Sequence, residues 1–239
     1  MVRLAESCRA AIENQNGLGR PCVKIIGFST GGVGHLGNTD RMVQAILDQS
    51  GYDSEFVKLT DLAFTGCKGC VDLCATPQVC LLDDEAGPYY QKMKDADAVV
   101  LGCAVYGGSV NAITLSFLER FYGYRHVDLA IKGKPFVLAV CGFRNIENAV
   151  EQVQNILKRQ GINVLDLVQY LSSSPPCLFC GRHQECSIGG LYRMIGGKAH
   201  TLTVTPDMFH KWEDNFITVE AVEAASQKLK EHLGAVQVR

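Results

Sequence analysis

The chain has 239 residues, 47% of them hydrophobic and 20% charged, with a net charge of −2 and a pI near 6.3. Such a chain buries an ordinary globular core without needing covalent staples. Its balanced charge offers no footprint for nucleic acid or an anionic membrane surface, and no apolar run reaches the roughly 18 residues of a membrane span. The first residues lack the apolar core and cleavage site of a secretory signal, so a cytoplasmic location is expected. Eleven cysteines are the anomaly. An odd total in a long chain without a signal argues against a disulfide framework and for metal or redox chemistry in a reducing compartment.

Taken in order, residues 1–21 form an N-terminal extension, with a short helix expected from Leu4, Cys8, Ala11 and Ile12. The apolar run 22–28 reads as a buried parallel strand. A turn with four glycines leads into a helix at about 39–50, whose expected stripe is Met42, Ala45, Ile46 and Gln49. Residues 52–59 read as a second strand and 97–103 as a third. A helix from about Asp84 to Asp95 lies between them. A helix over about 111–124 carries Ile113, Phe117 and Phe121. Residues 134–141 make a fourth strand, and helix 146–160 has a clear helical period through Ile146, Ala149, Val150, Val153, Ile156 and Leu157. Residues 162–170 make a fifth strand.

Strand–helix alternation with short connections predicts an α/β fold with a doubly wound, five-stranded parallel sheet. Residues 22–170 form that unit, including a cysteine loop at 65–80. Residues 171–239 form a cysteine-containing C-terminal extension that ends in a helix through Val222, Ala225, Leu229 and Leu233. Cys22, Cys103 and Cys141 lie in or beside strand runs, as small buried hydrophobes do.

Ser29–Thr39 joins a strand to a helix N-terminus, where free backbone N–H groups and the helix dipole favour a phosphate. Ser29, Thr30, His35, Asn38 and Thr39 are candidate donors, and Gly37 allows close backbone approach. The turn matches neither G-x-x-x-x-G-K-[S/T] nor G-x-G-x-x-G. No acidic residue closes the second strand for a ribose, so NAD is not its expected occupant. In a flavodoxin-like 2-1-3-4-5 order, ligands sit at the carboxyl ends of strands one and three. There Ala104, Val105, Tyr106, Gly107, Gly108 and Ser109 offer an aromatic surface and close backbone approach to a flat ring. Gly142 and Phe143 would close its other side. A phosphate pocket beside a planar-ring pocket describes FMN.

These motifs resemble the NADPH-dependent FMN reductase family, within it the iron–sulfur flavoprotein branch. The resemblance runs through G-F-S-T and G-N-T after strand one, the cysteine set before Asp83-Asp84, A-D-A-V-V-L-G and V-Y-G-G-S at strand three, and F-L-E-R at Phe117–Arg120. It covers about residues 22–170 and implies a flavodoxin-like fold, bound FMN and a homodimer or homotetramer that shelters the flavin. The chain departs from the family at Ala104, where proline is common, and at Thr114-Leu115, where a lysine is usual. Its C-x3-C step from Cys70 to Cys74 replaces the C-x2-C of cluster-bearing relatives.

Cys67, Cys70, Cys74 and Cys80 follow a C-x2-C-x3-C-x5-C spacing. Four thiols this close fit a [4Fe–4S] cluster, with zinc or a vestigial structural set and thiol redox as alternatives. Cys177, Cys180 and Cys186, completed by His183, form a second C-x2-C-x2-H-x2-C group. It reads as a small zinc or cluster site, as thiols capping a partner subunit near the flavin, or as an ordered loop of reduced thiols. The expected function is an FMN-dependent redox protein. It passes electrons between an iron–sulfur cluster and FMN, from ferredoxin or NAD(P)H to oxygen, peroxide or a quinone. No catalytic side chain is required. The rivals are a cluster-free NAD(P)H-dependent FMN or quinone reductase and a non-catalytic zinc or thiol redox sensor.

Overall fold

The computed structural model describes residues 23–237, so the expected helix in residues 1–21 and Cys22 lie outside the described residues. Six strands alternate with helices. They are β1 (Lys24–Ser29), β2 (Asp53–Lys58), β3 (Ala98–Tyr106), β4 (Ser109–Val110), β5 (Pro135–Gly142) and β6 (Asn163–Leu171). The five long strands are all parallel, in the order β2-β1-β3-β5-β6. With the two-residue β4 set aside, this is the predicted 2-1-3-4-5 order of a flavodoxin-like sheet. The strand reversal between β1 and β3 opens a crevice at their carboxyl ends.

Helix α1 (Asn38–Ser50) packs on one face of the sheet, and the terminal helix α8 (Phe216–Gln237) packs beside it. Here α1 buries Met42, Val43, Ile46 and Leu47, so the contact stripe lies one position round from the expected Ala45 and Gln49. The shift follows from close packing: a Cβ on Gly27 would stand 2.5 Å from Leu47, and one on Gly102 2.5 Å from Val43. Only glycine on these two strands lets α1 descend that far onto the sheet. Val222, Ala225, Leu229 and Leu233 of α8 are buried as their spacing predicts.

The opposite face carries α3 (Gly87–Asp95), α4 (Ala112–Glu119) and α5 (Ile146–Arg159). An aromatic cluster of Phe28, Tyr90, Phe117, Phe121 and Tyr124 fills the space beneath α3 and α4. Tyr90 donates to the Phe117 carbonyl at 3.0 Å and Tyr124 to the Tyr90 carbonyl at 2.7 Å, so neither hydroxyl is orphaned.

Two helix boundaries differ from the reading of periodicity. The helix expected from Asp84 begins at Gly87, because Asp84 stays outside and accepts the Gly87 N–H at 3.0 Å. The helix expected over 111–124 tightens into a 3₁₀ turn at Arg120–Tyr124. Gly123 there lies against the backbone of Cys80, where a Cβ would come within 2.8 Å of its nitrogen. The cysteine loop is thus clamped against the end of this helix. Between β6 and α8 come α6 (Cys177–Cys180), α7 (Gly190–Ile195) and several 3₁₀ turns, around a small cluster centred on Leu178, Leu191 and Ala199.

Candidate functional site

The glycine-rich turn leaves the carboxyl end of β1. The backbone N–H groups of Gly32 through Leu36 have no hydrogen-bond partner among the described residues. They stand at the N-terminus of the thirteen-residue α1, so the helix dipole adds to their pull on an anion. Gly34 holds φ +84° with open space around it, the left-handed backbone that lets a turn wrap a phosphate.

The expected side-chain donors are spent elsewhere. The Ser29 hydroxyl donates to Asp40 Oδ1 at 2.6 Å. Thr30 is fully buried, and its hydroxyl accepts the Ala104 N–H at 3.0 Å while pairing with Gly102 and Thr114. Asn111 donates to the Thr30 carbonyl at 2.8 Å and caps α4 by accepting from Thr114. Thr39 is buried as well. Asn38 ties the turn to the C-terminal extension, accepting the Trp212 N–H at 3.1 Å and donating to the His210 carbonyl at 3.3 Å. The donors this turn leaves without a partner among the described residues are therefore chiefly backbone N–H groups.

Beneath the turn lies a buried ion pair that sequence reading missed. Asp40 accepts the Gly37 N–H at 2.7 Å and the Lys58 ammonium at 3.0 Å. Lys58 also donates to the His35 carbonyl, and so joins the end of β2 to the turn. The lysine neutralises the carboxylate, which keeps the turn receptive to an anion. His35 itself is exposed and stacks on Phe179, with ring centroids 6.1 Å apart.

Tyr106-Gly107-Gly108-Ser109 forms a tight hairpin in which β4 pairs back on β3. Both glycines have positive φ, +61° and +82°, as a primed two-residue turn demands. Tyr106 is 59% exposed, and its hydroxyl reaches over the glycine turn to 3.8 Å from a Cβ placed on Gly32. Ser109 donates to Gln152 at 2.9 Å, which fixes the hairpin on α5. Ala104 and Val105 are buried in β3. Gly142 ends β5, and Asn145 just beyond it lies 3.6 Å from a Cβ on Gly108, so the two loops meet. Phe143, half-buried, faces Gly190 of the extension. Free N–H groups, a glycine cradle and an exposed aromatic beside two backbone loops fit the phosphate and the flat ring of FMN.

The first cysteine group is held from below by Arg120. This arginine is 1% exposed and donates to both Asp84 oxygens at 2.8 Å and to Cys80 Sγ at 3.1 Å. Cys74 lies on the short helix α2 (Val71–Ala75), and its sulfur is 2.9 Å from His126 Nε2. Burial pushes the Cys74 thiol up, and the neighbouring Cys70, Cys80 and Cys67 push the same way. Cys67 is exposed and Cys70 half-buried, and all four are free thiols. As soft donors they suit an iron–sulfur cluster. Among the described residues, no three His, Cys, Asp or Glu side chains are already arranged to hold a metal ion.

The chain is similar in sequence to iron–sulfur flavoproteins of archaea. An iron–sulfur flavoprotein of Methanocaldococcus jannaschii is 31% identical over 56% of this chain and 70% of its own. One from Methanosarcina thermophila is 26% identical over 54% of this chain and 70% of its own. Among solved structures, an azoreductase from Bacillus anthracis superposes with a TM-score of 0.53 at 12% identity. That match covers 87% of this chain and 99% of the azoreductase, and it shows the shared fold. No described helix is long and apolar enough to cross a membrane. Residues 23–174, from the start of β1 to beyond β6, match the model of the NADPH-dependent FMN reductase family, so the chain belongs to that family and is a flavin-dependent oxidoreductase.

Proposed function

We propose that this chain is an FMN-dependent electron-transfer protein in which Cys67, Cys70, Cys74 and Cys80 hold a [4Fe–4S] cluster. Electrons from ferredoxin or NAD(P)H are delivered to a small two-electron acceptor such as oxygen, peroxide or a quinone. FMN, when bound, exchanges one or two electrons and so couples single-electron donors to paired-electron acceptors. The observation that carries the reading is the buried clamp on the cysteine loop. Arg120, at the end of α4, grips both Cys80 and Asp84, while the first turn of the same helix is capped by Asn111, the partner of Thr30. One helix thus ties the cysteine loop to the end of β1. The names of the archaeal relatives support the same reading.

The chain's own residues supply binding and positioning. The turn from Gly32 to Leu36 offers its backbone N–H groups to the phosphate, Lys58 offsets the carboxylate beneath it, and the hairpin carries Tyr106 against the ring. Val33, Leu36, Tyr106 and Phe179 leave an apolar rim exposed around the turn, which fits a second copy of the chain sheltering the flavin in a homodimer or homotetramer.

The test is the absorption spectrum of anaerobically purified protein, with iron and flavin counted per chain. Both are expected, and Cys70→Ser should remove the iron while FMN stays. Flavin without iron in the unmodified protein would sink the cluster and favour a cluster-free NAD(P)H-dependent FMN or quinone reductase. The ungathered thiols are the observation on that side.

A further inference from the structure

The C-terminal extension between β6 and α8 covers some 45 residues, and its own cluster has three buried apolar side chains, Leu178, Leu191 and Ala199, while Trp212 packs into the core under the terminal helix. A unit with so small a core usually needs a staple. Its cysteines are arranged by two successive turns. In α6 the Gly181 N–H donates to the Cys177 carbonyl, which puts Cys177 and Cys180 on one turn. Gly181, at φ +68°, then reverses the chain, and the Cys186 N–H donates to the His183 carbonyl, which pairs those two residues on the next turn.

The sulfurs of Cys177 and Cys186 close on the same point. A Cβ on Gly189 would stand 2.8 Å from the first and 3.1 Å from the second. Gly189 has an ordinary φ of −68°, so backbone strain does not require glycine there; the space taken by the two sulfurs does. Each sulfur also accepts a backbone N–H, Cys186 from Gly189 at 3.2 Å and Cys177 from Leu191 at 3.3 Å. Donors of this kind offset the negative charge of metal-bound thiolates.

His183 supplies the independent observation. It is 6% exposed, and its Nε2 lies 2.9 Å from the Leu202 carbonyl. A carbonyl only accepts, so Nε2 carries the proton and, in the neutral ring, Nδ1 presents a lone pair. That Nδ1 is buried and has no partner among the described residues. An imidazole anchored through one nitrogen to a backbone carbonyl, with the other left free inside the protein, is arranged as a metal-ligating histidine is.

We propose that Cys177, Cys180, His183 and Cys186 bind a structural zinc ion, separate from the Cys67–Cys80 group and independent of the function assigned to it. Three thiolates and one imidazole are a closed tetrahedral set for zinc. The donors are not yet gathered to coordination distance, and Cys180 is exposed, so the ion draws the two turns together as it binds. Phe179, between the first two cysteines, stacks on His35 of the glycine turn, so the staple also steadies one wall of the FMN site.

The experiment counts zinc in the full chain purified from zinc-supplemented culture and follows cobalt(II) added to chelator-treated protein. The expected result is about one zinc per chain, and with cobalt the intense visible bands of tetrahedral thiolate coordination. Zinc should persist in the double variant Cys67→Ser/Cys70→Ser and vanish in Cys186→Ser and His183→Gln. His183→Cys, which keeps a donor, should restore it. Absence of zinc and of tetrahedral cobalt bands in the unmodified chain would overturn the proposal without help from any variant. Zinc retained in His183→Gln, or lost in the Cys67→Ser/Cys70→Ser variant alone, would overturn this assignment of ligands.

Discussion

Lys58 and Asp40 form an ion pair of 3.0 Å beneath the glycine-rich turn, with their side chains 8% and 0% exposed. The lysine ends β2 and the aspartate opens α1, so the pair locks the two elements that frame the turn. Removing one partner of a buried pair leaves an uncompensated charge, at a penalty of about 3–5 kcal/mol. Lys58→Met is therefore expected to lower the urea unfolding free energy by about that amount and to weaken FMN binding at least about tenfold, or some 1.4 kcal/mol. Adding Asp40→Asn should recover much of the stability and little of the flavin affinity, because the cation under the phosphate turn stays absent. Recovery of both together would show that the pair acts on stability alone.

Arg120 carries the same logic at the cysteine loop. Arg120→Met removes the cation from Asp84, which keeps the Gly87 N–H and some solvent, so the expected penalty in equilibrium unfolding is about 1–3 kcal/mol. Arg120→Lys should rescue little, since a lysine ammonium cannot span both Asp84 oxygens and Cys80 in one plane. Native-state alkylation read by mass spectrometry should show Cys80 reacting faster in Arg120→Met. Unchanged Cys80 reactivity would mean that the arginine does not hold the loop.

Gly107 and Gly108 both occupy the left-handed region. Alanine at either is expected to destabilise the protein by about 1 kcal/mol. The effect on FMN affinity should exceed that on stability if the hairpin meets the ring as proposed, since Tyr106 beside it is exposed rather than packed in the core. Fluorescence titration with FMN beside a urea melt separates the two. Equal losses would place the hairpin's role in folding.

The pH dependence should appear on the alkaline side. Burial pushes the Cys103 thiol from its ordinary value near 9 up to about 12. Burial raises Tyr90 and Tyr124 as well. In the unfolded chain the thiol loses its proton above about pH 9, while the folded protein keeps it. This group's stabilising contribution is therefore intact below pH 9 and is lost as the pH climbs from 9 towards 12, by about 1.4 kcal/mol per pH unit. Cys103→Ala should flatten the decline between pH 9 and 10.5 by about that slope. An unchanged slope would exclude the thiol as its source.

Much of the plan was legible in the chain because periodicity reports burial directly. The runs at β1, β3 and β5 and the spacing in α5 and α8 each announce the face that meets the core. The α1 stripe was misplaced because Ala45 and Gln49 satisfy helical spacing as well as Val43 and Leu47 do. Only the absence of a side chain at Gly27 and Gly102, on two other strands, selects between them. Ser29, Thr30 and Asn38 looked like phosphate donors because hydroxyls and amides beside glycines are the right chemistry for that task. Their partners lie at Asp40, Gly102 and Trp212, and nothing in the local sequence names those contacts.

The parallel α/β sheet, the glycine-rich turn at its switch point and the two cysteine groups can all be read along the chain. Those rest on local patterns of apolarity, glycine and thiol spacing. Which groups around the turn are free to meet a ligand depends on the folded chain, since a buried hydrogen bond consumes a donor that residue type alone counts as available. The folded chain also decides what stands behind each thiol. Arg120 reaches Cys80 across 40 positions and His126 reaches Cys74 across 52. Contacts at such separation are set by how the helices seat on the sheet, not by the order of residues along it.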